Sequence, residues 1–324
     1  MLEEGGRRSE GGEKRRRYLR WGRIGVTVAA VAYLASRVEP RDVLNAFQRL
    51  SLGAALAAIS VVLFGLACGM IRWRLLLRAY GAIDLPPWPR IAHLYLVGHF
   101  YNTYAPGGVG GDVIRGVAGR KAFGDLDWAS ATSGVAVVFI ERVIGVSALL
   151  VLATGAYLIQ PIPGVENVGL WAALGLAAAG AALIGIGVAP KLAPYLPEKL
   201  GKPLRALPRL YSIWPFLIAI LLSLIIHSCN VLAGHAIIHS LEPSVTLGES
   251  AVLMPLISTS AFFPFTVGGA GVREAAFAAL YGTVGVPEAT AYAASLGFWG
   301  TQLISAGIGG VINLVVPLSG RETD

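Results

Sequence analysis

A ten-residue pattern that occurs twice carries the residues best suited to bind an anion. Residues 105–115 read APGGVGGDVIR, and residues 263–273 read FPFTVGGAGVR. Both contain P-x-x-V-G-G-x-x-[IV]-R, so a proline, a valine, a glycine pair and a final arginine recur at the same spacing. This agreement indicates an internal repeat.

Each copy has the composition of an anion site built from backbone and arginine. Glycines let backbone N–H groups approach a ligand closely, and the helix that follows presents the positive end of its dipole. Arg115 and Arg273 fall near the start of those helices, and a guanidinium group matches the geometry of phosphate. We therefore predict that the two copies hold a phosphate-bearing head group. In the alternative, Arg115 lies at the cytoplasmic surface and Arg273 pairs with Glu274.

A second charged pair, Glu141 and Arg142, lies inside a long apolar segment. Charges at membrane depth cost several kcal/mol unless they are paired, which makes them candidates for function. Adjacent helical residues point about 100° apart, so each should pair elsewhere, with Asp112 or Arg273 as candidate partners. We predict an ion-pair network that contains Glu141 and Arg142. In the alternative, the pair lies near the cytoplasmic interface.

His235 and His239 have a spacing that could bind a metal, but no carboxylate accompanies them. We predict neither a metal nor another cofactor.

These residues must be positioned by a membrane-embedded scaffold. Hydrophobic residues make up 55% of the chain and charged residues 14%, against about 25% charged in soluble domains. A net charge of +7 could suggest nucleic acid, but its distribution favours a membrane protein, and no nucleotide-binding motif is present.

Residues 1–23 are predicted to be a disordered, basic cytoplasmic tail. Residues 24–36 resemble a signal-peptide core, although we favour an uncleaved first span. The six predicted spans are 24–36, 51–71, 128–159, 168–188, 211–239 and one within 291–316.

Both copies of the repeat are predicted to form re-entrant hairpins. Each follows an apolar arm of about 15 residues, which is too short to cross comfortably, and precedes an arm of about ten. Pro106 and Pro264, with the glycine pairs, should break the helix at the tip. In the alternative, both segments are full spans with glycine kinks.

Flanking charges predict that the two hairpins are inverted. Basic residues flank the first, whereas Glu249 and Glu288 flank the second, so their ends should face the cytoplasm and the exterior respectively. The fold class predicted is an all-α polytopic membrane protein with about six spans and two hairpins. Residues 24–160 and 161–319 would be inverted repeats, a transporter architecture, with both termini on the cytoplasmic side of the plasma membrane.

Four segments in order resemble a known family. They are RWRLLL after the second span, YNTYAPGGVGGDxxR, ERVIG within a span, and FPFTVGGAGVRE. Together they resemble the membrane domain of bacterial lysylphosphatidylglycerol synthase/flippase proteins, over nearly the whole chain after the basic tail. The resemblance implies a flippase-like transporter that moves a phospholipid or lipid-linked anion between leaflets.

The resemblance also implies the site residues. The predicted substrate-binding residues are Asn102, Gly107, Gly108, Gly110, Gly111, Asp112, Arg115, Gly268, Gly269, Gly271, Arg273 and Glu274.

Family members that make aminoacylated lipid carry a soluble domain after the membrane part, and this sequence ends soon after its last predicted span, so aminoacyl transfer is not expected. The alternatives are an intramembrane lipid-modifying transferase and a secondary transporter of small solutes or ions. The predicted partner is a membrane lipid with an anionic head group, not nucleic acid; a second copy of the chain or an enzyme that supplies the lipid are further candidates.

Overall fold

A computed structural model describes residues 39–104, 108–124, 133–195, 197, 209–259 and 271–318. Within these residues the chain is helical and has no strand. Its α-helices are α1 (Pro40–Phe47), α2 (Leu52–Ala79), α3 (Trp88–Tyr104), α4 (Gly110–Gly119), α5 (Ser133–Ile159), α6 (Glu166–Leu192), α7 (Ile213–Leu241), α8 (Leu247–Thr259), α9 (Val272–Gly282) and α10 (Glu288–Val315). The predicted tail and first span lie outside the described residues.

Four of the described helices, α2, α5, α7 and α10, are long and apolar enough to cross a membrane. Helices of this length extend about 40 Å, more than the hydrocarbon thickness of about 30 Å. They expose large apolar side chains, including Phe64, Phe139 and Leu221. Water would oppose such exposure, whereas acyl chains accommodate it. The prediction of an all-α polytopic membrane protein is confirmed, and α6 overlaps the predicted span 168–188.

Helix α2 extends beyond its predicted end at residue 71. Ser51 caps its start by accepting a hydrogen bond from the N–H of Ala54 at 3.1 Å, and the helix continues to Ala79. The segment RWRLLLRA contains strong helix formers, and the first proline comes only at Pro86, so nothing ends the helix earlier. Arg72, which the sequence placed in a basic loop, is therefore a buried helical residue.

The first repeat copy is a helical hairpin formed by α3 and α4. Gly98 and Gly111 meet so closely that a Cβ atom on Gly111 would overlap the backbone of Gly98. The open end of the hairpin is the end where α3 begins and α4 finishes. There the N–H of Asp84 donates to the carbonyl of Ala122 at 3.0 Å, so both ends of the hairpin lie at one level. At the other end Gly108 adopts a positive φ of 63°, whereas the predicted breaking residues Pro106 and Gly107 lie outside the described residues.

In the second copy, α8 and α9 also pack against each other. The hydroxyl of Tyr281, near the end of α9, donates to Ser250 Oγ, near the start of α8, at 3.2 Å. The two helices therefore run in opposite directions. Pro264, Gly268 and Gly269 lie between them, in residues 260–270, outside the described part.

Helix α5 connects the open ends of the two hairpins. At its start, a Cβ on Gly134 would overlap the carbonyl oxygen of Gly116 in α4. Just after its end, the side chain of Gln160 lies against Gly248 at the start of α8. The open ends are thus separated by the length of a membrane-crossing helix.

Helix α10 contacts both hairpins near their tips. The Tyr104 hydroxyl, at the end of α3, donates to the carbonyl of Leu303 at 3.0 Å. Arg273, at the start of α9, lies 4.9 Å from the ring centroid of Trp299. Trp299 and Leu303 are about 6 Å apart along the helix, so the two tips approach the same part of α10. Further along, Gly309 packs directly on the backbone of Leu96 in α3.

Helices α2 and α7 pack along one another. A Cβ on Gly65 would lie 3.4 Å from the Cβ of Cys229, an ordinary close contact between helices. Cys68 and Cys229 are both buried free thiols.

Candidate functional site

Five charged side chains meet beside the tip of the first hairpin. Arg72 comes from α2, Asp112 and Arg115 from α4, and Glu141 and Arg142 from α5. We call them the charged cluster. Helix α2 is distant in sequence from α4 and α5, and all three helices must pack together before these groups can meet.

Glu141 is the centre of the charged cluster. Its Oε1 accepts a hydrogen bond from Arg72 Nη2 at 2.6 Å, and its Oε2 accepts one from Arg115 Nη1 at 2.9 Å. Only 3% of its side chain is exposed. Removing a carboxylate from water is costly, and two charge-assisted hydrogen bonds offset that cost.

Asp112 joins Arg115 to Arg142. Its Oδ1 accepts from Arg115 Nη2 at 2.8 Å and its Oδ2 accepts from Arg142 Nε at 2.7 Å. Arg142 Nη2 also donates to the carbonyl of Gly108 at 3.2 Å, which ties α5 to the hairpin tip. The sequence offered Asp112 as one of two candidate partners for this pair, and the structure places it against Arg142.

Arg115 is enclosed by aromatic rings as well as by carboxylates. Its guanidinium carbon lies 4.8 Å from the ring centroid of Tyr95 and 5.6 Å from that of Trp73. Both are cation–π distances. The residue is 6% exposed, so its side chain is buried among these partners.

The start of α4 is capped by a side chain from the opposite arm of the hairpin. Asn102 Oδ1 accepts from the N–H groups of Gly111 at 2.8 Å and Asp112 at 3.2 Å, while its Nδ2 donates to Asp112 Oδ1 at 2.9 Å. In this structure the N–H groups of Gly111 and Asp112, which were predicted to bind a ligand, donate to Asn102. Asn102 also fixes the position of the Asp112 side chain.

The second copy holds its arginine differently. Arg273 Nη2 donates to Glu274 Oε1 at 2.5 Å, and Arg273 Nε donates to Ser295 Oγ on α10 at 3.2 Å. Glu274 Oε2 also accepts from the N–H of Gly271, whose φ is 86°. The Arg273–Glu274 pair, an alternative from the sequence, is thus present, and Glu274 caps α9.

Arg72 and Ser223 are the members of the site that the sequence did not identify. Arg72 Nη1 donates to Ser223 Oγ on α7 at 3.0 Å, which extends the charged cluster to a fourth helix. Two signals could have indicated Arg72. The segment after residue 71 has no helix breaker, and the buried carboxylate of Glu141 requires a cationic partner.

Two histidines of α7, His235 and His239, contact the start of the second hairpin. His235 Nδ1 lies 3.0 Å from Ser250 Oγ, and His239 Nδ1 lies 3.0 Å from the carbonyl oxygen of Val245. No group of three or more metal-binding side chains occurs in the described part of the chain.

Comparison with known families gives one result that covers most of the chain. The model of the family described as "Lysylphosphatidylglycerol synthase TM region" matches residues 20–310. No curated protein matches the chain.

Proposed function

This chain belongs to the family of the lysylphosphatidylglycerol synthase TM region, and from that premise we propose that it moves a phospholipid or lipid-linked anion between leaflets. Under this proposal it is a multi-pass protein of the plasma membrane with both termini in the cytoplasm. The proposal does not include aminoacyl transfer.

The observation that carries the proposal is the charged cluster at the hairpin tip. Ionised groups within membrane helices are costly and characteristically mark a pathway for ions or substrates. Arg115 donates one hydrogen bond to each of two carboxylates, and a phosphate group could accept both bonds in bidentate geometry. An anionic head group would therefore compete with Glu141 and Asp112 for the arginines, and its departure would restore the ion pairs.

The placement of the hairpins supports the same function. Their open ends lie near opposite ends of α5, and their tips approach one part of α10. This arrangement favours inverted repeats, with broken helices whose tips face a site at the middle of the bilayer. Irregular backbone at that depth requires protein or a water-filled cavity around it.

Labelling of single introduced cysteines tests the inverted arrangement. We expect an impermeant maleimide to reach Asp84→Cys and Lys121→Cys, at the first open end, from one side of the membrane. It should reach Ser244→Cys and Thr283→Cys, at the second open end, from the other side. The parent protein should stay unlabelled because Cys68 and Cys229 are buried. If the two cysteines of one pair were labelled from different sides of the membrane, that pair could not flank a re-entrant hairpin.

Lipid movement in proteoliposomes tests the function itself. The wild type should redistribute labelled anionic phospholipid between leaflets, and Arg115→Ala and Arg273→Ala should each slow this by about tenfold or more, because each removes charge-assisted hydrogen bonds of about 1.5–3 kcal/mol. Both variants should still insert in the membrane. Arg78→Ala, which removes an exposed arginine of α2, is the matched control and should retain the wild-type rate. Wild-type rates in both variants would contradict the anion-site role.

A further inference from the structure

A cavity lies at the open end of the first hairpin, away from the charged cluster. Its volume is about 550 Å³, and it lies between α3, α4 and the segment that leads into α3. We call it the basal groove. Residues on its rim include Asp84, Arg90, Arg120 and Lys121.

The rim of the basal groove is strongly basic. Among the described residues that line the groove, three are cationic and one, Asp84, carries a carboxylate. Within the described residues, no carboxylate forms an ion pair with Arg90 or Arg120. These two arginines therefore differ from Arg72 and Arg115, whose charges are compensated by Glu141.

The wall of the basal groove is apolar and continues toward the hairpin tip. Val113 and Val117 line it and are 57% and 52% exposed. Val109, four residues earlier, is also exposed. Residues four apart lie on one face of a helix, so these valines form a strip along α4 from the basic rim to the charged cluster.

We propose that the basal groove binds an acidic phospholipid of the adjacent leaflet, with its phosphate at Arg90 and Arg120 and an acyl chain along Val117 and Val113. Complementary charge argues for this occupant, since basic pockets between membrane helices bind anionic lipid head groups. A zwitterionic lipid fits the apolar strip equally well but gains less at the rim. The inference rests on the proposed function and deepens it, because it places the head group at the base of the hairpin before it reaches the charged cluster.

Photocrosslinking measures occupancy of the basal groove independently of transport. The photoreactive residue benzoylphenylalanine is placed at Val117, or at Phe139 on α5 as a control that is exposed without lining the groove. Vesicles of phosphatidylcholine contain a trace of tail-labelled phosphatidylglycerol or tail-labelled phosphatidylcholine. The measured quantity is the ratio of acidic to zwitterionic adduct.

The ratio at Val117 should exceed that at Phe139 and should fall with rising salt. Arg90→Gln and Arg120→Gln should each lower it by about fivefold, the effect of one basic residue near an anionic surface. Arg78→Gln, a charge change at an exposed position outside the groove, should leave the ratio unchanged. An undiminished yield of zwitterionic adduct would show that the variants are folded.

Equal ratios at Val117 and Phe139, or a ratio that neither Arg90→Gln nor Arg120→Gln changes, would overturn the basal groove as a lipid site. If the wild type moves lipid between leaflets and the ratios are equal, the groove fails and the proposed function stands. If the wild type moves no lipid but Val117 retains its preference, the proposed function fails and the groove remains a binding site.

Discussion

Glu141→Gln should cause the largest loss of stability and of lipid movement of any single polar substitution in this chain. The substitution preserves the shape of the side chain but removes the charge that compensates Arg72 and Arg115. Breaking a buried ion pair by neutralising one partner costs about 3–5 kcal/mol, because the remaining charge stays in an apolar environment. We expect a correspondingly lower Tm in detergent and at most residual lipid movement in proteoliposomes.

A double substitution separates this explanation from a general effect of amide replacement. Arg115 retains Asp112 when Glu141 is neutralised, whereas Arg72 loses the carboxylate it contacts. Adding Arg72→Gln to Glu141→Gln should therefore restore part of the lost Tm. Glu39→Gln, which changes an exposed carboxylate without a side-chain capping bond, is the matched control and should be neutral. A wild-type Tm for Glu141→Gln would show that the charged cluster does not stabilise the fold.

Gly111→Ala should have the second largest effect, because the added methyl group would occupy the position of the Gly98 backbone. Overpacking typically costs about 1–3 kcal/mol when side chains can move aside. Here the obstacle is backbone, so α4 itself must shift, and we expect a loss of about 3 kcal/mol or more. That shift would also displace Asp112 and Arg115 and slow lipid movement.

Gly155→Ala is the control for this prediction. Gly155 is also a helical glycine, on α5, and a Cβ there would meet no atom within 4 Å. Its replacement should leave Tm unchanged or raise it slightly, because alanine favours helix by about 0.5–1 kcal/mol over glycine. Equal Tm values for the two variants, measured by thermal unfolding in detergent, would show that the hairpin does not depend on the contact between Gly98 and Gly111.

The sequence predicted those features that depend on local composition. Apolar segments without charges indicated membrane helices, and short arms around Pro106 and Pro264 indicated helices that turn back. The pairing of Arg273 with Glu274 was foreseen as an alternative, since the two residues are adjacent. Asp112 was foreseen as a partner for the charged pair on α5 because a buried charge requires compensation.

The features that depend on tertiary approach were missed. Asn102 accepts from the first N–H groups of α4 because the end of α3 lies beside the start of α4, a contact that the sequence did not reveal. Arg72 was assigned to a loop because basic residues after an apolar run usually mark the end of a span. Its buried position is stabilised by the carboxylate of Glu141, 69 residues later in the chain.

Backbone contacts at glycines group six of the described helices into two bodies, and the glycine contacts between the bodies are made by side chains, such as Tyr95 against Gly69 and Ile237 against Gly297. Backbone contacts at Gly98, Gly116 and Gly309 interlock α3 and α4 with α5 and α10, so that these helices must travel together. Helices α2 and α7 form the other body, where Arg72 is held by Ser223. The bond between Arg72 and Glu141 crosses the boundary, whereas the bonds of Arg115, Asp112 and Arg142 lie within the first body. Sliding at that boundary would break the Arg72–Glu141 bond and the contact of Arg115 with Trp73, while the hydrogen bonds within the first body stay intact, so this bond opposes a rocking motion.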